Sequence, residues 1–255
     1  MNILLDIFSF LLGASVSSFL GVVIDRVPKK KSIVSPPSCC DSCGKRIKWY
    51  DNIPILSYLI LKGKCRYCKS RIPISSLILE LLGGLLYLSS SLLFPFSYHL
   101  AFYYPIVSIV LLISFVDYYH HYIFDFSQVL LAVFVLGDTL TESILEKAIP
   151  IPSFIGLAIA FLFFLTLKII GRIVWKRDVL GTGDVILISI FSFHIGYKAL
   201  LLLLLVSSLT GSIIEGIRTR KDKEKEIAFA PYLCFGYLFS LFLYPTIERF
   251  VMEVI

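Results

Sequence analysis

Apolar runs that are each suited to crossing a bilayer as a helix occupy most of this chain and constrain its fold more than any other feature. They lie near residues 3–24, 75–94, 98–116, 124–140, 152–175, 184–196, 197–216 and 228–250. About 20 such residues span the hydrocarbon core. Only 16% of the residues are charged, against roughly a quarter in soluble domains. The sequence therefore predicts an all-α polytopic membrane protein with about eight transmembrane helices, or seven if residues 184–216 form one helix.

The basic residues are distributed asymmetrically between the segments that connect these runs. With the chain starting outside, the inner connections hold 21 of the 24 Lys and Arg. These connections are residues 25–76, 168–184 and 216–228, with 12, 4 and 5 Lys and Arg respectively. The excess of positive charge on one side predicts that those segments face the cytoplasm and that both termini lie outside. Basic residues placed beside spans orient a protein in a bilayer, so the net charge of +6 does not indicate a nucleic-acid partner.

The one sizeable polar segment carries paired cysteines. Cys40-x-x-Cys43 is followed by 21 residues and then by Cys65-x-x-Cys68. This spacing is typical of a structural Zn²⁺ site with four thiolate ligands, and unmetallated thiols are the alternative. Disulfides are disfavoured because the cytoplasm is reducing. We therefore expect a first transmembrane helix over 1–24, a cytoplasmic zinc-knuckle loop over 25–76 and a helical membrane core over 77–255.

Two carboxylates fall at the cytoplasmic ends of predicted spans. Asp117 ends the third span, and Asp184 begins the sixth after Gly181-Thr182-Gly183. They are 67 positions apart, but the topology places both at one membrane face, where an ionisable residue is a functional candidate by default. The two glycines allow a sharp bend or close approach by a substrate. The alternatives are that Asp184 caps its helix and that Asp117 is a solvated interfacial residue.

Four further polar positions lie near these spans. Glu80 is costly inside the second span and predicts an unidentified partner. Asp125 is interpreted as a cap of the next helix or as a residue that shapes the site. His120 and His121 are candidate metal ligands or bases, although histidines beside tyrosines at an interface are commonly solvated anchors.

Taken together, these features resemble the type IV prepilin peptidases, a family of GxGD-type membrane aspartic proteases. Residues 18–28, 51–58 and 61–68 are similar to the family's first-span and loop signatures. Glu80 falls where that family carries a glutamate. Asp117 and Asp125 match its D-x7-D stretch, and residues 181–184 match its GxGD motif. One departure is Ile186, which stands where the family usually has lysine.

The resemblance implies a catalytic dyad of Asp117 and Asp184, with Gly181, Gly183, Asp125 and Glu80 shaping the site. It also implies prepilin or pseudopilin substrates, cleaved after a Gly at the cytoplasmic face of the bacterial plasma membrane. S-adenosylmethionine-dependent N-methylation of the new amino terminus rests on the resemblance alone. Two other classes stay open: an ion- or proton-coupled transporter, and a non-enzymatic assembly factor that docks through the zinc loop. A transporter typically has acids near the midplane and inverted repeats, whereas here Asp117 and Asp184 lie at one face and no repeat is visible, which disfavours that class.

Overall fold

The structure, a computed structural model, describes residues 3–94, 97–176, 180–218 and 228–254. Its long helices are α1 (Ile3–Arg26), α3 (Ile74–Leu93), α4 (His99–His120), α5 (Asp125–Glu146), α6 (Ile151–Trp175), α7 (Thr182–Arg218) and α8 (Ala230–Val254). Between α1 and α3 lie a 3-10 turn (Trp49–Asn52) and the short helix α2 (Leu56–Ile60). The described residues form isolated bridges but no strand.

The prediction of about eight membrane helices is confirmed. Six of the described helices are long and apolar enough to cross a membrane, and α8 has an apolar stretch from Ala230 to Tyr244. The 37-residue α7 is two helices joined at Gly196, whose φ of 74° and ψ of 168° are not helical. Glycine adopts a positive φ without steric cost, so it breaks the apolar run where no polar loop marks a boundary. Counting the two arms of α7 separately gives eight.

Two predicted boundaries are corrected. The third predicted span ended at residue 116, but α4 continues to His120, so Asp117 lies inside the last turn of the helix. The fourth was expected to end at residue 140, but α5 continues to Glu146 and closes with Lys147 in the left-handed conformation. Hydropathy marks the lipid-crossing part of a helix, whereas backbone hydrogen bonding continues beyond it.

Residues 1–111 form one of two compact units, and α1 packs closely on α3 within it. A Cβ placed on Gly83 would lie 2.7 Å from the Cβ of Ser17 and 2.8 Å from the carbonyl oxygen of Gly13. Small residues let membrane helices approach closely and gain van der Waals contact. Further along α3, the ring of Tyr87 stacks on that of Tyr104, with centroids 4.2 Å apart.

Residues 112–255 form the second unit, in which α7 packs on α5, α6 and α8. Its core is apolar and aromatic: Leu187, Phe191 and Tyr237 are fully buried, and the last two rings stack with centroids 4.0 Å apart. The outward side chains of these helices are mainly large apolar residues, such as Leu162 and Leu209. An apolar exterior is the surface that a bilayer covers.

Candidate active site and metal centre

The second unit brings Asp117 and Asp184 together. Asp117 lies in the last turn of α4 and Asp184 in the first turn of α7, and their carboxylates are close enough to interact electrostatically. Asp117 is only 7% exposed, and Asp184 is half-buried. Charge is expensive to bury, so two acids in one partly desolvated place are a candidate site for proton transfer.

The start of α8 holds the carboxylate of Asp117. The backbone N–H of Ala230 donates a hydrogen bond to Asp117 Oδ2 at 3.0 Å, and Ala230 is fully buried. The first N–H groups of a helix have no partner within the helix and carry a positive partial charge. The carboxylate satisfies one of these donors, and the helix in turn fixes the carboxylate.

Gly181 and Gly183 shape the surroundings of Asp184. A Cβ on Gly181 would lie 3.0 Å from Asp184 Oδ2, so glycine leaves the space that this oxygen occupies. The carbonyl of Gly183 accepts a hydrogen bond of 2.7 Å from Gln128 Nε2 on α5. Gln128 is 4% exposed, and it fixes the start of α7 against α5. Sequence reasoning did not identify Gln128, because a single amide in an apolar run shows no pattern.

Asp125 is not the cap of α5, contrary to one interpretation of the sequence. The N-cap residue is Phe124, and no side chain caps this end. Asp125 occupies the first turn and is exposed, and a carboxylate in the first turn complements the helix dipole. His120 and His121 do not join a group of three or more metal-binding side chains within the described ranges.

The four predicted cysteines form a cluster in the first unit. The Sγ atoms of Cys40, Cys43, Cys65 and Cys68 all lie within 4.8 Å of one another, and those of Cys40 and Cys68 are 3.7 Å apart. A tetrahedral ion with Zn–S bonds of about 2.3 Å requires sulfurs roughly 3.8 Å apart. The cluster therefore fits a metal ion with little movement. With four protein ligands it is closed to substrate and is suited to a structural role.

Both halves of the cluster use the same turn. Cys40 N–H donates to the carbonyl of Lys45, and Cys65 N–H donates to that of Ser70, at 3.0 and 2.8 Å. The residue after the second cysteine has a positive φ in each case, 67° at Gly44 and 60° at Lys69. The repeated geometry directs both pairs of thiols toward one point.

The surroundings of the thiols favour a thiolate at Cys40. Hydrogen bonds from the Ser70 hydroxyl, and then from the backbone N–H groups of Cys43 and Ser42, lower the pKa of Cys40 to about 6. The hydroxyl of Ser70 likewise lowers the pKa of Cys68. At Cys43 the backbone N–H of Lys45 opposes the rise, but desolvation and the neighbouring sulfurs raise the pKa to about 11. Metal binding must release the remaining protons, so it depends on pH.

Arg66 braces the second knuckle. Its guanidinium makes a forked interaction with Asp51, through Nε to Oδ2 at 2.8 Å and Nη2 to Oδ1 at 2.6 Å. This contact lowers the pKa of Asp51 and keeps it ionised. Bidentate pairs of this kind fix orientation as well as adding binding energy.

Glu80 binds the backbone of the loop. Its Oε2 accepts a hydrogen bond of 2.6 Å from the N–H of Ile55. Ile55 has φ 63° and ψ −55°, and Leu56 N–H donates to Pro54 O at 2.6 Å, which defines a γ-turn of the rare, strained hand. Such a conformation costs about 1–3 kcal/mol and persists only when its surroundings enforce it. The partner that the sequence required for Glu80 is therefore a strained turn 25 positions earlier.

Comparison with known proteins supplies the family. Residues 11–94 match the model of the bacterial peptidase A24 N-terminal domain, and residues 104–215 match that of the type IV leader peptidase family. A prepilin leader peptidase/N-methyltransferase from Myxococcus xanthus is 33% identical over 98% of this chain and 76% of its own length. The chain belongs to the type IV leader peptidase family. It is therefore a multi-pass membrane peptidase, as the sequence predicted.

Other relatives of this leader peptidase chain agree. A prepilin leader peptidase/N-methyltransferase from Vibrio cholerae is 33% identical over 83% of this chain and 84% of its own. A type 4 prepilin-like proteins leader peptide-processing enzyme from Escherichia coli is 30% identical over 91% of each chain. No solved structure matches the chain.

The cation near Asp184 in this leader peptidase is not at the position where the family usually has lysine. Ile186 occupies the position expected to hold lysine, and it is 44% exposed on the apolar exterior of α7. The side chain of Lys168 on α6 interacts electrostatically with Asp184. In the sequence Lys168 was only one of the basic residues that orient the protein in the bilayer, because no local pattern links it to Asp184, 16 positions later.

This leader peptidase also contains a buried polar network that was not predicted from the sequence. His194 accepts or donates hydrogen bonds through both ring nitrogens, to Tyr237 Oη at 2.6 Å and to Asp138 Oδ2 at 3.1 Å. The side chains of Asp138 and His194 are each 3% exposed. The network joins α5, α7 and α8. An acid inside the apolar run of α5 was the available signal.

Proposed function

We propose that this chain cleaves the short basic leader of type IV prepilins or pseudopilins, with Asp117 and Asp184 as the catalytic dyad. The observation that carries the proposal is the meeting of these two partly buried carboxylates at helix ends. The names of the relatives, which process prepilins or prepilin-like proteins, support the substrate class.

The chemistry follows from two acids that share one environment. Nearby carboxylates do not both ionise easily, so one keeps a proton while the other acts as a base. The base takes a proton from a water molecule, and the resulting hydroxide adds to the scissile carbonyl carbon. The protonated partner donates a hydrogen bond to the carbonyl oxygen, and a proton passes to the leaving amine as the C–N bond breaks. The roles belong to the pair, so neither aspartate is assigned as the permanent acid.

The helix ends suit a substrate whose cleavage site lies just outside the bilayer. A prepilin precursor has a basic leader, then a Gly and then an apolar helix that stays in the membrane. With the basic loops facing the cytoplasm, the last turn of α4 and the first turn of α7 lie at the cytoplasmic face of the plasma membrane. That is the depth at which such a leader joins its helix.

The four-cysteine cluster is proposed to hold a structural Zn²⁺. The cation would neutralise the crowded thiolates and fix the two knuckles together, and it takes no part in peptide cleavage. N-methylation of the mature amino terminus with S-adenosylmethionine is a second candidate activity. Its support is the name N-methyltransferase carried by the Myxococcus xanthus and Vibrio cholerae relatives.

The dyad is tested by cleavage of a prepilin-like substrate in membranes that contain Asp117→Asn, Asp184→Asn or unaltered protein. Asparagine keeps the size of the side chain but removes proton transfer, which contributes roughly 10²–10⁴-fold to rate. Asp25→Asn is the matched control, because Asp25 is an exposed acid at the end of α1 that pairs with Lys29. If either dyad variant retains the rate of the control at equal expression, the aspartic mechanism is wrong.

The same membrane preparations distinguish the peptidase from the rival functions. An assembly factor that docks through the cysteine loop would lose function in Cys65→Ser and keep it in both dyad variants. A methyltransferase would transfer labelled methyl groups from S-adenosylmethionine to a substrate that is already cleaved, even in the dyad variants.

A further inference from the structure

The helix α2, between the two knuckles, has an apolar face that nothing in the described part of the chain covers. Leu56, Leu59 and Ile60 are 51, 59 and 64% exposed. They occupy positions i, i+3 and i+4, which share one side of a helix. Tyr58 faces the protein, and its hydroxyl donates to the carbonyl of Ile72 at 3.4 Å. Leu56, Leu59 and Ile60 together form the α2 face.

The hydrogen bond between Ile55 and Glu80 fixes the position of the α2 face along α3. Glu80 is the seventh residue of α3, so at 1.5 Å per residue it lies about 9 Å beyond Ile74 along the helix axis. Its side chain tilts back toward the helix N-terminus, where Ile74 and Ile78 are exposed and apolar. A segment bound to Glu80 is therefore held beside the first two turns of α3, whose exposed side chains are apolar, and not beyond the end of that helix.

Aromatic residues and cations flank the α2 face. Trp49, in the preceding 3-10 turn, is 80% exposed. The ammonium of Lys48 and the guanidinium of Arg66 lie 5.5 and 5.4 Å from the ring centroid of Tyr50. Tryptophan, tyrosine and basic residues are the groups that membrane proteins place at the interface.

The charge of the loop is complementary to one kind of surface. Residues 27–73 contain eleven Lys and Arg against two Asp, a formal charge of +9. Anionic headgroups attract such a segment when it is held within a Debye length of the membrane.

We propose that the α2 face and Trp49 are immersed in the lipid interface, with anionic headgroups against the surrounding cations. The occupant of this surface is lipid, because Glu80 ties the segment to α3, a helix long and apolar enough to cross a membrane, and because the charge of +9 is complementary to anionic headgroups. Glu80 is then a docking residue, which holds the strained turn so that α2 lies at the interface.

The test uses full-length protein carrying Trp175→Phe, which leaves Trp49 as the single tryptophan of the two in the chain. It is reconstituted in phosphatidylcholine–phosphatidylglycerol vesicles whose acyl chains are brominated either near the headgroup or near the methyl end. We expect Trp49 emission to be blue-shifted and largely lost with shallow bromination, and much less reduced with deep bromination. Emission unaffected by both lipids, as for a face exposed to water or covered by a protein partner, would overturn the proposal.

A matched pair of variants tests the docking residue. Glu80→Gln keeps an oxygen acceptor for the Ile55 N–H and should retain shallow quenching. Glu80→Leu removes the acceptor, so we expect lower quenching by brominated lipid and higher quenching by aqueous acrylamide. If Glu80→Leu matches Glu80→Gln in both measurements, Glu80 does not position the segment. The protein that retains Glu80 tests whether Trp49 is immersed in lipid, and that result does not depend on whether Glu80→Leu folds.

Discussion

Replacing Gly83 by alanine adds one methyl group where α1 and α3 approach most closely. The new Cβ would lie 2.7 Å from Ser17 Cβ and 2.8 Å from the carbonyl oxygen of Gly13, and closer still to Ser17 Oγ. A rotamer change moves the hydroxyl of Ser17 but cannot move its Cβ or a backbone oxygen. The two helices must therefore separate, and the contacts around the point of approach weaken together.

The expected size of the effect is the balance of two contributions. Overpacking costs about 1–3 kcal/mol where the backbone must shift. Alanine is favoured over glycine inside a helix by up to about 1 kcal/mol, which partly offsets that cost. At roughly 2–4 °C per kcal/mol for a chain of this size, a net loss of about 1–2 kcal/mol lowers the melting temperature by about 2–8 °C.

The assay is thermal unfolding in detergent, followed by the fraction of protein that remains monodisperse. Gly21→Ala is the matched control in α1, because its Cβ would meet only Leu79 Cδ2 at an ordinary 3.7 Å. We expect the control to be neutral or slightly more stable. Adding Ser17→Gly to Gly83→Ala should recover part of the loss. A Gly83→Ala protein as stable as the control would refute the close packing of α1 on α3.

Three further outcomes are expected. His194→Asn should lower the melting temperature, because leaving a buried polar group without its hydrogen-bond partner costs about 1–3 kcal/mol, whereas His121→Asn at an exposed position serves as the control and should not. Gln128→Leu removes the hydrogen bond to the carbonyl of Gly183 and should lower kcat for leader cleavage by about tenfold, which corresponds to the free energy of one hydrogen bond. An unchanged kcat would contradict a role for Gln128 in positioning the start of α7. After chelation, the affinity for metal should fall as pH falls, because binding requires thiolates and protons compete for them; protonation of Cys40, whose pKa is about 6, adds to this loss at the acidic end, and the measurement is bound metal against pH.

Features that depend on local pattern were predictable from the sequence. Apolar runs located the helices because the bilayer imposes their length and composition. The spacing of Cys40, Cys43, Cys65 and Cys68 indicated one cluster, since few other arrangements place four thiols in two short turns. The sequence predicted a boundary between residues 184–196 and 197–216 with one long helix as the alternative, and the non-helical conformation of Gly196 favours the boundary.

Features that depend on partners far along the chain were not predictable. The acceptor for the Ala230 N–H lies 113 positions earlier at Asp117, and the strained Ile55 is held by a glutamate in another helix. Lipid offers no hydrogen bonds, so each buried polar group must find a protein partner, but the requirement does not name it. The assignment of the two aspartates to catalysis stays a prediction that rests on their proximity.

The close contact of α1 with α3 also bears on the polymer physics of the cysteine loop. The 47 residues between Arg26 and Ile74 are a closed chain whose ends are held by two membrane helices. Closing a loop costs entropy that grows as the logarithm of its length, and here the helices contribute that closure without any metal. An isolated zinc peptide must bear the whole cost itself and unfolds when the ion leaves. Stripping the metal from this loop is expected to leave a local, reversible defect in an otherwise folded membrane protein.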